Sequence, residues 1–391
     1  MKLVPLIVAA LASRLASADP IRLRADALAT TASPAGLLVL DAGGPVRAGL
    51  SAEAVVWMAG ARTPGEDVAG DVLVIALKGQ TRDGRLGGQV GRFVSTLGAL
   101  RPVQVDGATL RARLPHRLDV EAVAGMPVPT TGLGNGRSWD WLVGGRLARR
   151  LGDYGAVGIA YTQRRDAGIL YDEEVGVDAG VALDKRHDVG ARVAYDLAHP
   201  GLAEISLVAS RRKGALRADV YARHRDASRL LPASSLFSVI GDVASQRGGV
   251  AVTWRAAPRL DVIADVAARR IDASYGEELV ARARLRLDER GASLLGGELR
   301  RTGGGDFGWT GARGMARIAL PHHLAVSTEL ELVVPDHDRG RGRVWPWGLV
   351  ATSWDHGPWS VAVAVEASTS AEYRYRVDGL VQASRRWSVS R

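Results

Sequence analysis

The residues best suited to chemistry in this chain are Asp336-His337-Asp338. Two carboxylates and an imidazole are suitable ligands for a divalent cation, and a histidine beside an acid can transfer a proton. The following residues, Arg339-Gly340-Arg341-Gly342-Arg343, place three guanidinium groups beside any such cation and oppose its binding. A short motif without convergent partners is weak support for a catalytic or metal site. We therefore predict neither function for this segment.

The remaining histidines and glycine-rich segments form no recognisable catalytic motif. His116, His322 and His323 lie beside proline and arginine in short turns, where turn formation explains them. Gly303-Gly304-Gly305 lacks the lysine of a phosphate-binding loop, and no serine lies in a Gly-x-Ser-x-Gly turn. The chain has no cysteine, which excludes disulfides and thiolate chemistry. We predict that the protein is not an enzyme and uses no cofactor or metal.

Elsewhere, charged residues alternate with apolar ones over runs of about ten residues. In 324–334, for example, Glu329 and Glu331 alternate with Leu330 and Leu332. Period-two alternation indicates strands with one apolar face and one polar face. The charged residues that we predict on the polar faces as candidate pore-lining residues are Arg217, Asp219, Arg223, Arg225, Arg282, Arg284, Arg286, Asp288, Glu329, Glu331, Arg374 and Arg376.

The connections between these runs fall into two classes. Tight turns recur at 114–118, 183–187, 257–260 and 320–324, and longer connections occur at 126–139, 226–245, 302–309 and 335–343. Bacterial outer-membrane barrels have short turns on the periplasmic side and longer loops outside. The twenty-two runs that we place between 20–30 and 372–390 therefore predict an all-β fold, a single closed antiparallel transmembrane β-barrel of 18–22 strands.

Tryptophan placement favours a membrane barrel over a soluble β-sandwich, which shows the same alternation. Each of the ten tryptophans lies within a few residues of a proposed strand end, where the indole ring prefers the lipid headgroup level. The tryptophans are Trp57, Trp139, Trp141, Trp254, Trp309, Trp345, Trp347, Trp354, Trp359 and Trp387. Tyr221 does not fit this pattern.

The first residues are typical of an export signal. Lys2 precedes an apolar stretch, and Ala16-Ser17-Ala18 provides small residues for cleavage. We predict a secretory signal peptide at 1–18 and one barrel domain at 19–391. No segment has the roughly 18 uninterrupted apolar residues of a transmembrane helix. The predicted location is the outer membrane of a Gram-negative bacterium.

A more local likeness lies in Gly91-Arg92-Phe93 and in the residues from Leu100 to Ala108. These segments resemble the "GRQ … R … DG" strand pair of alginate-export-type porins, and the general plan of the chain is similar to that of Gram-negative outer-membrane porins. The resemblance implies a β-barrel channel for small solutes.

A barrel with this number of strands is too wide for side chains to fill, so its polar face is expected to enclose water. An arginine excess on that face favours anions, whereas pairing of the same charges across strands would serve only to hold the wall together. The apolar connection 226–245 is interpreted as a constriction, a rim cap or a contact with lipid or a neighbouring protomer.

We therefore predict an outer-membrane channel for diffusion of small solutes. The alternatives are a non-conducting structural or interaction barrel and a secreted soluble all-β binding protein. Expected partners are outer-membrane lipid, small solutes and the barrel-assembly machinery. The basic residues form no stripe with interleaved aromatics, so nucleic acid is not an expected partner.

Overall fold

The computed structural model describes residues 21–30, 35–61, 69–128, 140–226, 244–271, 274–304, 308–337, 343–370 and 375–389. The predicted signal peptide at 1–18 lies outside this range, as do Arg374, Asp338 and most of 226–245. Within it, the only helix is a single 3₁₀ turn, Pro115–Arg117. No helix of the described ranges is long and apolar enough to cross a membrane.

The strands form one antiparallel sheet of 22 strands. They are β1 (Ile21–Thr30), β2 (Ala35–Arg47), β3 (Leu50–Ala61), β4 (Ala69–Gln80), β5 (Leu86–Ser95), β6 (Val103–Leu114), β7 (Leu118–Pro127), β8 (Trp141–Arg150), β9 (Gly155–Asp166), β10 (Ile169–Ala182), β11 (His187–Asp196), β12 (Gly201–Lys213), β13 (Leu216–Arg225), β14 (Ser245–Ala257), β15 (Leu260–Ile271), β16 (Ser274–Arg286), β17 (Leu294–Thr302), β18 (Trp309–Leu320), β19 (Leu324–Pro335), β20 (Trp345–His356), β21 (Trp359–Ser368) and β22 (Arg376–Val389).

Each strand pairs with the next one along the chain, and β1 also pairs with β22. Every described strand therefore has a hydrogen-bonded neighbour on both sides. This arrangement satisfies the backbone N–H and C=O groups that an open sheet would leave at its edges. The predicted all-β antiparallel architecture is confirmed.

The connections at the two ends of the sheet differ in length. One end, the short-connection end, has turns such as 48–49, 214–215 and 357–358, and also holds the start of β1 and the end of β22. The other, the long-connection end, has 128–140 and 226–244. The predicted sorting is therefore present, except that 167–168 is a tight turn at the long-connection end.

Cross-strand register divides the side chains between two faces, because direct partners on adjacent strands point to the same side. The polar face carries Arg217, Asp219 and their register partners, and the apolar face carries Val220 and its partners. On the apolar face, Leu330 and Leu299 are 66% and 63% exposed, so no described residue covers these side chains.

The turns at the short-connection end contain specific polar interactions. In the turn after β10, Asp184 accepts hydrogen bonds from the backbone N–H groups of Arg186 and His187 and contacts the His187 ring at 2.9 Å. The contact with the His187 ring, followed by the bonds from the backbone N–H groups, lowers the pKa of Asp184 to about 2. His116, His322 and His323 have positive φ, which supports a turn role for them.

Candidate functional site

The candidate site is the polar face of the sheet. On β13, Arg217, Asp219, Arg223 and Arg225 point to this face, as the alternation predicted. Arg217 Nε donates to Asp219 Oδ1 at 2.8 Å, and the Ser210 hydroxyl on β12 donates to the same oxygen at 2.5 Å. These charges are therefore partly matched within the wall.

A continuous ion-pair network crosses β16 to β19. Glu298 on β17 has a side chain that is only 2% exposed, and it pairs with Arg282 on β16 and with Arg300, whose Nε lies 2.8 Å from Glu298 Oε1. Arg300 also pairs with Glu331 on β19, and Arg313 on β18 pairs with Glu329. Arg282, Glu329 and Glu331 thus lie on the polar face but are engaged in pairs. An equal mixture of charges at these positions carries less net field than a row of arginines.

The other three residues that were predicted on β16 differ in their contacts. Arg286 donates from Nη2 to the Pro258 carbonyl at 2.9 Å and lies 3.5 Å from Asp261. Arg284 forms no ion pair or hydrogen bond with another side chain among the described residues. Asp288 lies beyond β16 in the turn 287–293, where it accepts from the N–H groups of Ala292 and Ser293. The prediction that Asp288 lies on the polar face of a strand is wrong, because this carboxylate organises the turn instead.

Arg376, the predicted residue at the start of β22, donates from Nε to Asp378 Oδ2 at 2.6 Å. Asp378 faces Glu366 directly on β21, so this part of the polar face leans acidic. Together with Leu349 and Leu380, these residues line a shallow recess of about 260 Å³.

The position of Tyr221 explains why this residue departs from the aromatic pattern. It lies on the polar face, where its hydroxyl donates to Asp265 Oδ1 at 2.6 Å and its ring lies 5.2 Å from the Arg247 guanidinium. Sequence reasoning missed Arg247 and Asp265, although the same period-two pattern in 246–256 and 260–271 contains them.

The tryptophans only partly follow the predicted girdles. Trp141, Trp254, Trp354, Trp359 and Trp387 lie on the apolar face near strand ends. By register, the polar face instead carries Trp57, Trp309, Trp345 and Trp347. Trp309 and Trp347 lie 5.4 and 5.7 Å from the guanidinium groups of Arg300 and Arg313. Cation–π contact with wall arginines accounts for Trp309 and Trp347 on this face.

The polar face is crossed by one described connection, residues 96–102, which we call the docked segment. Its path begins where β5 leaves β4: the two strands pair only between 75–80 and 87–92. Gly91 at this point has φ +124°, and a Cβ there would lie 2.1 Å from the Ile75 carbonyl oxygen. Only glycine fits this close approach of the two backbones.

Side chains fill the gap that this divergence leaves in the sheet. Arg92 donates from Nη1 to the Val72 carbonyl at 3.1 Å, and Gln104 donates from Nε2 to the Leu73 carbonyl at 2.7 Å. Arg92 also holds both carboxylate oxygens of Asp106, at 2.7 and 2.9 Å. The segments that resemble the strand pair of alginate-export-type porins therefore bind β4, β5 and β6 together where the docked segment begins.

The docked segment packs on the polar faces of β8 to β10. Leu97 and Leu100 are 2% and 4% exposed and join a buried apolar cluster with Phe93, Val105 and Leu142. A Cβ on Gly144 of β8 or Gly176 of β10 would lie 2.9 Å from Leu97 or 2.8 Å from Leu100. The glycines thus provide space for the two leucines. Burial of each leucine contributes about 1.5–3 kcal/mol.

Arg101 anchors the far end of the docked segment to β10. Its Nη2 lies 2.5 Å from Asp172 Oδ2 and 3.5 Å from Glu174 Oε1, and the Glu174 side chain is 2% exposed. The sequence suggested a constriction only at 226–245, as one of three interpretations of that connection, and most of it lies outside the described residues. The signal for the docked segment was three apolar residues, Leu97, Ala99 and Leu100, within a short connection.

The segment around Asp336 shows no metal-binding arrangement in the described part of the chain. Asp336 accepts from Arg301, with 2.7 Å between Arg301 Nη2 and Asp336 Oδ2, and this contact lowers the pKa of Asp336. No group of three or more histidine, aspartate or glutamate side chains among the described residues is placed to hold a metal ion.

No protein-family model matches the sequence. No curated protein matches it either. Among solved structures, the translocation pore of the P pilus usher PapC aligns with a TM-score of 0.55 and 10% identity, over 95% of this chain and 99% of that chain. The siderophore receptor PirA from Pseudomonas aeruginosa aligns with a TM-score of 0.54 and 12% identity, over 95% of this chain and 81% of that chain.

These structural neighbours are outer-membrane β-barrels. Their low sequence identity limits the likeness to the fold. The protein therefore has the fold of outer-membrane β-barrels, in agreement with the porin-like plan that the sequence resembles.

Proposed function

We propose that this protein is a channel of the Gram-negative outer membrane through which small solutes diffuse. In this proposal, the sheet is one closed barrel, the apolar face contacts lipid and the polar face lines the lumen. The observation that carries it is the docked segment, which covers polar wall while the opposite face remains apolar and uncovered.

The lipid contact follows from the exposure of the apolar face. Leu299, Leu330, Val220, Val266 and Val350 are all more than half exposed. An apolar surface that extends around the sheet is an aggregation hazard in water and is stable in hydrocarbon. The exposed apolar face therefore favours a membrane barrel over the secreted soluble alternative.

The conducting role follows from the number of strands. A closed barrel of this size is too wide for its wall side chains to meet at the centre, so the lumen contains water. The docked segment spans the polar faces from β6 to β10 and narrows the lumen on that side. Solutes would then be selected first by size at this level.

Electrostatic selection is the second element of the mechanism. Four of the predicted wall arginines pair with carboxylates among the described residues: Arg217, Arg282, Arg286 and Arg376. Arg223 and Arg284, which have no such partner among the described residues, contribute uncompensated positive charge. A modest preference for anions follows.

Passage by diffusion requires no bond-making step, so the proposal includes no enzymatic activity and no cofactor. It includes outer-membrane lipid and the barrel-assembly machinery as partners, because an exported barrel must be inserted into its membrane.

Liposome swelling with neutral sugars of increasing size tests the proposal. We expect swelling that slows with sugar size, together with a need for detergent during extraction and a mobility shift on boiling. A heat-modifiable protein that gives no swelling would support the non-conducting barrel instead. A protein that stays soluble without detergent would contradict the membrane assignment altogether.

A further inference from the structure

One transverse row of the polar face is rich in arginine and contains no acid. Consecutive register partners across β11 to β15 are Arg192, Ser206, Arg223, Arg247 and Arg269, which we call the arginine row. Arg223 faces Arg247 directly, and Arg247 faces Arg269. Two such like-charge pairs side by side destabilise a sheet unless negative charge is supplied.

Two carboxylates supply part of this charge on one side of the row. Arg247 Nη2 lies 3.1 Å from Asp265 Oδ2, and its Nε lies 2.8 Å from Glu278 Oε2. Arg269 Nη1 lies 3.3 Å from Glu278 Oε1. Because Glu278 is shared, the three arginines on β13 to β15 have two carboxylates between them, and one positive charge is left over.

Arg223 carries that remaining charge. It is exposed, and among the described residues it forms no ion pair or hydrogen bond with another side chain. Its direct register partners are Ser206 and Arg247. A guanidinium group has five donors and no acceptor, so the exposed donors of Arg223 remain available to water or to a passing solute.

We propose that Arg223, with Ser206 and Arg247 beside it, binds the oxyanion of a passing solute, either a carboxylate or a phosphate. The planar guanidinium holds two oxygens of such a group at once, and the bound charge relieves the repulsion between Arg223 and Arg247. The site lies two residues before the end of β13, near the long-connection end. That solutes reach it rests on the proposed function.

Phosphate binding to the purified, detergent-solubilised protein tests the inference independently of conductance. The probe is inorganic phosphate at fixed ionic strength, followed by broadening of its phosphorus NMR signal, with acetate as a competitor. We expect saturable binding that Arg223→Gln weakens about 10-fold, the loss of one or two charge-assisted hydrogen bonds. Acetate displaces phosphate if the site accepts carboxylates, and leaves it bound if the site is specific for phosphate.

Arg284→Gln is the matched control, because it removes another exposed wall arginine without a side-chain partner among the described residues, whose register partners are Asp261 and Gly296 and include no arginine. It should leave phosphate binding unchanged. Equal weakening by both variants, or unchanged binding in Arg223→Gln, would overturn the inference. Arg223→Lys separates the effect of charge from that of the planar guanidinium, since it keeps the charge and should still bind phosphate more weakly than the wild type.

The two proposals fail separately. Bound phosphate without conductance would contradict the channel and leave the site in place. Conductance with phosphate binding that does not depend on Arg223 would support the channel and contradict the binding site.

Discussion

Replacing Arg101 by glutamine should loosen the docked segment. The guanidinium is the charged anchor of this segment on β10, where it contacts Asp172 and Glu174. Arg101→Gln removes that contact and leaves the Glu174 carboxylate, whose side chain is 2% exposed, without its cation. Breaking a buried ion pair in this way costs about 3–5 kcal/mol.

The two buried leucines continue to hold the segment after the substitution. Their burial supplies about 3–6 kcal/mol together, comparable to the lost anchor. A loss of about 3 kcal/mol raises the ratio of undocked to docked segment on the order of a hundredfold. An undocked state with a population of about 0.1% would then rise to about 10%.

Single-channel recording in planar bilayers measures this change. We expect larger mean conductance and frequent stepwise transitions in Arg101→Gln. The control is Arg85→Gln, which removes a 79% exposed arginine whose pair with Asp83 at 3.5 Å lies in a turn at the opposite end. Such exposed pairs contribute about 0–1 kcal/mol, so its trace should match the wild type. An Arg101→Gln channel as quiet and as narrow as the wild type would refute a structural role of the docked segment in the lumen.

Three other perturbations have defined outcomes. Glu298→Gln removes the carboxylate that pairs with two wall arginines. We expect the reversal potential to shift toward anions and the unfolding free energy to fall by about 3–5 kcal/mol. An unchanged reversal potential would argue against a luminal position of these residues. Gly91→Ala should reduce the unfolding free energy measured in urea by at least about 1–3 kcal/mol, because Gly91 has positive φ. Gly180→Ala is the control and should reduce it little, because a Cβ there would meet nothing within 4 Å. Equal reductions would contradict the close approach of β4 and β5. The depressed pKa of Asp184 means that its stabilising contribution is present above its usual value of 3.8 and is lost as pH falls toward about 2. Asp184→Asn should therefore flatten the pH dependence of unfolding in that window, and an unchanged dependence would contradict the role of this carboxylate in the turn.

The strands could be predicted from the sequence because a sheet with one apolar and one charged face has an unambiguous period. In β13, Arg217, Asp219 and Arg223 alternate with apolar neighbours, as Glu329 and Glu331 do in β19, and register confirms the division. The prediction from periodicity was wrong where a side chain accepts hydrogen bonds within a turn, as Asp288 does.

The docked segment could not be predicted from periodicity. Its leucines are buried by β8 and β10, which are distant in sequence, and the spaces that receive them are glycines with no pattern of their own. Pairing is equally non-local: the sequence identifies Arg282 as a wall residue, but only the register of β16 with β17 brings Glu298 against it. The wall tryptophans Trp309 and Trp347 were misassigned because strand position does not reveal a guanidinium partner.

The most direct test of the channel proposal is the conductance of purified protein in a planar bilayer, with reversal potential recorded across a salt gradient. We expect steady openings and a reversal potential displaced toward the anion equilibrium. Verified insertion without current, under the same conditions, would contradict the channel and favour a non-conducting barrel.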